Sequence, residues 1–67
     1  MGADDERTLE DLIDREGLDD VLEALARICR EKADHVRTNW QDATLAHLWD
    51  REAGRIEAVA ARVEVRC

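Results

Sequence analysis

The sequence predicts an all-α protein: a short N-terminal helix plus a long antiparallel helical hairpin that completes a helical bundle by homodimerisation. Three observations carry that expectation. Proline is absent, glycine occurs three times and 40% of the 67 residues are charged, a composition that suits helices and disfavours sheets and long loops. Between Leu18 and Trp40 the large apolar residues fall at 18, 21, 22, 25, 28, 29, 36 and 40, the spacing of one face of a helix. Nowhere do apolar and polar residues alternate for long enough to suggest a strand.

The length bounds the architecture further. Sixty-seven residues make one domain, 1–67, near the size at which a single core barely offsets chain entropy. With no Phe, no Tyr and two Trp, that core must come from Leu, Ile, Val and many Ala. Burial of further surface in a homo-oligomer is therefore expected.

Taken in order, residues 1–7 are polar and expected to fray. Thr8 is the expected N-cap of a first helix, because Thr8-Leu9-Glu10-Asp11 resembles a capping box. That helix, about 8–16, offers Leu9, Leu12 and Ile13 as its apolar face, and Gly17 stops it as a residue able to take a left-handed conformation. The second helix, about 18–38, interrupts its stripe only at Lys32, whose stem can lie along apolar surface while its ammonium stays wet. Asp19, Asp20 and Glu23 precede Arg27, Arg30, Lys32 and Arg37, the order that the helix macrodipole favours.

Asn39 suits the end of the second helix, and either Asn39 or Asp42 can cap the next. The third helix, about 42–64, places Leu45, Leu48, Trp49, Ala53, Ile56, Val59, Ala60 and Val63 on one face, with Glu52 inside that face and in need of a partner. Gly54 falls on the opposite side, as a tolerated surface glycine or a point of close helix approach. Trp40 and Trp49 are expected in the core around the interhelical turn. Trp40 has a second role open to it, as an exposed anchor for a partner.

The net charge of −7 is unevenly distributed. Ten acids lie among the first 23 residues against Arg7 and Arg15. Direct nucleic-acid binding by that third is disfavoured, since phosphate contacts need clustered bases. The longest apolar run is too short for a membrane span, and MGADDER lacks the apolar region of a signal peptide. Met1-Gly2 begins like a myristoylation motif, but Glu6 stands where Ser or Thr is required. A cytoplasmic protein with Cys29 and Cys67 reduced is expected.

No catalytic constellation stands out. Serine is absent, phosphate-cradling glycine loops are absent and neither cysteine has a nearby ligand partner, so neither an enzyme nor a cofactor is expected. Glu31 and His35, four apart, form the weak candidate for a metal half-site, with His47 and Asp50 as a possible second pair. Cys29 in the stripe is expected to be a buried structural thiol, and Cys67 an exposed one.

In size and helical layout the chain resembles the small RNA-binding helical hairpin that controls plasmid copy number. That likeness of architecture implies a dimeric four-helix bundle and carries no residue across. The expected function is a small regulatory or adaptor role through protein–protein contact, with Leu9, Leu12, Ile13 and Trp40 among the contact residues. The alternative is an acidic nucleic-acid mimic, an inhibitor or antitoxin, in which Asp11, Asp14, Asp19, Asp20 and Glu23 occupy a basic groove of a nucleic-acid-binding protein. A metal-binding bundle is the third.

Overall fold

A computed structural model describes residues 1 to 65. Helix α1 spans Ala3–Glu16, α2 Leu18–His35 and α3 Ala43–Ala60, and one π-helical turn, Val36–Trp40, follows α2. Every regular element among the described residues is helical, as the composition predicts.

Helix α1 starts five residues before Thr8. Asp4, Asp5 and Glu6 occupy its first turn, where exposed N–H groups and the macrodipole favour carboxylates. The Gly2 N–H donates to Asp5 Oδ2 at 3.4 Å. Thr8 is therefore an interior residue and not a cap; its hydroxyl donates back to the Asp4 carbonyl at 3.0 Å. The N-terminal residues expected to fray are helical from Ala3 onward.

Gly17 ends α1 as expected, but with extended rather than helical ψ: φ is 96° and ψ 147°, a region open to glycine alone. Its N–H donates to the Ile13 carbonyl at 2.8 Å. Beyond α2, the Asn39 amide donates to the His35 carbonyl at 3.1 Å and holds the widened turn closed. Gln41 takes the left-handed conformation there, with φ 53°. Asp42, one of the two expected caps, accepts from the Leu45 N–H at 2.9 Å and starts α3. That helix ends at Ala60, short of the expected residue 64.

The π turn explains why Trp40 is not in the core. It fits an extra residue into the last turn of the helical path, so Trp40 rotates away from the stripe that ideal 3.6-residue spacing assigns it. It is 71% exposed.

Helices α2 and α3 pack on each other, and ion pairs join them: Arg37 pairs with Asp50 near the connection and Arg30 with Glu57 farther from it. Their seam is built from small residues. Ala26, Cys29 and Ala33 are buried on α2, and Ala46, Ala53 and Ala60 on α3. Within each helix the alanines recur every seven residues, two turns apart, so they form a straight row along which the backbones approach closely. Trp49 and Ile56 pack half-buried against Ala26, Cys29 and Ala53. No large side chain among the described residues is fully buried.

The molecule is flattened and open. Its Cα extents are 38 × 27 × 14 Å, and its radius of gyration of 13.7 Å exceeds the roughly 11 Å of a compact chain of this length. Helix α1 packs on α2 and, among the described residues, does not reach α3. Gly54 is a surface glycine: a Cβ there would meet nothing within 4 Å, so no close helix approach explains it. Among the described residues, no helix is long and apolar enough to cross a membrane.

Candidate protein-contact surface

The apolar arc of each long helix is wider than its neighbour can cover. On α2 the arc runs from Ala26 and Ala33 past Cys29 to Leu25 and Ile28; on α3 it runs from Ala53 past Trp49 and Ile56 to Leu45, Leu48 and Val59. Packing through the alanines buries one margin of each arc and turns the other outward. Leu25, Ile28, Leu45, Leu48 and Val59 are consequently 39% to 55% exposed.

These side chains form one surface. A cleft of about 600 Å³ between α1 and α2 includes Leu9, Leu12, Val21, Leu25 and Ile28 in its lining. Ile28 also lines a second hollow, with Val36, His35 and Trp49, and Trp49 lines a third, with Leu45 and Leu48. Shared walls make the three hollows one continuous apolar side from α1 to α3. Lys32 crosses its middle with Nζ 5.8 Å from the Trp49 ring centroid, keeping its stem on the stripe as the sequence predicts.

Charge is arranged differently on the other margin of the α2–α3 seam. Arg30 pairs with Glu57 through two nitrogens and lies 3.8 Å from Asp50; Arg37 bridges Asp34 and Asp50 at 3.0 and 2.9 Å. The Glu57 hydrogen bond, then its charge, raise the Arg30 pKa above its ordinary value. Glu52, the carboxylate within the apolar face, finds its partner in Arg55 at 2.8 Å.

Of the residues expected to contact a partner, Leu9, Leu12, Asp20 and Glu23 converge on the α1–α2 cleft. Ile13 is half-buried on α1, Asp11 and Asp14 are exposed on the same helix and Asp19 is half-buried at the start of α2; none of these four lines the cleft. Trp40 stands apart at the connection between the long helices. Leu25, Ile28, Leu45, Leu48 and Val59 lie at the surface, although their places in the apolar stripes suggest the core. The signal available was the width of the arcs, which exceeds what one neighbouring helix can cover.

Glu31 and His35 both line the hollow beside Trp49. The Asn39 amide lies 2.9 Å from His35 Nδ1, and its bond to the His35 carbonyl identifies it as a donor. Neutral His35 then carries its proton on Nε2. Among the described residues no group of three or more His, Cys, Asp or Glu is placed to hold a metal ion. Cys29 is a free buried thiol, whereas Cys67 lies outside the described residues.

Comparison with known protein families, curated proteins and solved structures finds no match to this chain.

Proposed function

We propose that the chain is a non-catalytic regulatory or adaptor protein of the cytoplasm, acting by protein–protein contact, whose α2–α3 hairpin is half of a helical bundle completed by a second copy. The observation that carries this is the unpartnered apolar side running from Leu9 to Leu48. A domain normally buries such a face against another element, and among the described residues nothing covers this one.

The accessible surface agrees in magnitude. It is 5277 Å², against about 4,300 Å² for a compact chain of 7.7 kDa. The excess, roughly 1,000 Å², matches the ~800 Å² that each partner contributes to a standard interface. A free thiol at Cys29, within the seam, suits a reducing compartment.

The test is light-scattering mass after size exclusion, at low and high salt, on reduced protein. A species of twice 7.7 kDa is expected at both salts. Ile28→Asp combined with Leu48→Asp is expected to give a monomer, because each places a carboxylate in the apolar side. A wild-type monomer at the highest concentration measured would overturn self-association, leaving the same side for an apolar helix of another protein.

A further inference from the structure

Beyond an apolar side, the layer has two unlike edges. At the α1–α2 edge, Glu16, Asp20 and Glu23 stand at the rim of the cleft floored by Leu9, Leu12, Val21, Ala24, Leu25 and Ile28, and among the described residues Arg27 is the one base in its lining. At the α3 edge, Arg51 and Arg55, four apart, share a face beside Leu48 and Val59, and Arg62 follows in the turn just past the helix end at Ala60. The acids of α3 are otherwise engaged: Asp50 and Glu57 are held by Arg30 and Arg37, and Glu52 by Arg55. No carboxylate among the described residues pairs with Arg51 or Arg62. One edge is thus an apolar cleft with an acidic margin; the other is an apolar ridge with a basic one.

We infer that the second copy seats its α3 ridge in the α1–α2 cleft of the first, reciprocally, about a two-fold axis parallel to the long helices. This rests on the self-association proposed above and adds its pairing mode. Rotation about such an axis reverses the order of helices in the second layer, so each α3 lies over the partner's α1–α2 edge and both connections point the same way. The alternative two-fold, perpendicular to the helices, lays the acidic α1 of each copy on that of the other. Like charge opposes it. A foreign basic amphipathic helix could enter the cleft as well, but the complementary ridge is already present on the same apolar side of this chain, and the excess surface is of the order of one partner's share of a dimer.

The experiment is a charge exchange. Glu16→Lys/Glu23→Lys is one variant, and Arg55→Glu/Arg62→Glu the other. In a reciprocal dimer either variant alone sets like charges at both contacts, and the dissociation constant should rise by about tenfold or more at low salt. Mixed together, the two form a heterodimer in which both contacts are again complementary, and affinity should return to within about threefold of wild type. Helicity by circular dichroism checks each variant; should either lose it, the single changes Glu23→Lys and Arg62→Glu replace the pairs. Homodimers unaffected by both variants, while Ile28→Asp/Leu48→Asp still dissociates them, would overturn this pairing and spare self-association. A wild-type monomer would overturn both. Assemblies growing beyond the dimer would replace the closed two-fold with a head-to-tail contact and so overturn it too.

Discussion

The Lys32 ammonium stands over the indole of Trp49, 5.8 Å from the ring centroid, and joins α2 to α3 across the outward apolar side. A cation over an exposed aromatic face contributes about 0.5–1 kcal/mol. Lys32→Ala should lower stability by that amount, measured by urea unfolding followed by tryptophan emission. Lys32→Arg should retain most of it. An unaltered midpoint in Lys32→Ala would mean the contact contributes nothing.

The alanine seam sets a steeper requirement. Ala53 is fully buried between α2 and α3, and Leu there adds three carbons where the backbones are closest. Overpacking of this kind costs about 1–3 kcal/mol. Ala53→Leu should therefore lower the unfolding midpoint clearly. Gly54→Ala, one residue along and open to solvent, should instead raise stability by about 0.5–1 kcal/mol through helix propensity. Opposite signs at adjacent positions would locate the seam without any further structure.

Those two positions also show how much of the fold was legible beforehand. The 3.6-residue period located both long helices, and Gly17 and Asp42 marked their starts, because stop and cap chemistry is local. The period identifies an apolar arc but not which margin of it meets a neighbour. Large side chains suggested the core by size; the alanines at 26, 33, 46, 53 and 60 won it by allowing closer approach, and Leu25, Ile28, Leu45 and Leu48 were displaced outward. The start of α1 was missed because ADDER holds no large apolar residue, although its acids satisfy a helix N-terminus. Trp40 was misplaced because a π turn breaks the very period used to locate it. At the contact surface, Leu9, Leu12, Asp20 and Glu23 were recognisable as amphipathic and acidic residues. Their convergence on one cleft depends on the angle at which Gly17 sets α1, which no local pattern encodes.

Arg30, Arg37, Asp50 and Glu57 form a half-exposed network whose response to pH has a definite sign. The Arg30 pKa is raised in the folded state, first by the Glu57 hydrogen bond and then by its charge. A raised folded pKa means that the contribution is full below the unfolded value and lost only as pH rises through the folded one. Arginine titrates in strong alkali, so Arg30 should add no slope to stability between neutral and mildly alkaline pH. Glu57→Gln should lower stability modestly at low salt, and the difference should shrink at high salt as screening takes over. A difference that persisted undiminished at high salt would show that Glu57 acts through packing rather than charge.

Gly17 positions α1 and with it one wall of the cleft. Gly17 is buried, and at its φ of 96° and ψ of 147° an L-residue is strained by about 1–3 kcal/mol. In Gly17→Ala the cheapest relief is to change the joint and release α1, because among the described residues α1 packs on α2 and not on α3. Amide hydrogens of residues 3–16 should then exchange faster, while those of α2 and α3 keep their protection. The chain is short enough for chemical synthesis, which permits a sharper control. D-alanine at position 17 meets the mirror image of these angles, close to the ordinary extended region, and should restore slow exchange in α1. If both enantiomers released α1 equally, the Cβ itself would be at fault and the joint would be limited by space. If neither did, side-chain contacts such as those of Leu9 and Leu12 would suffice to hold α1, and the backbone geometry of Gly17 would have no part in shaping the cleft.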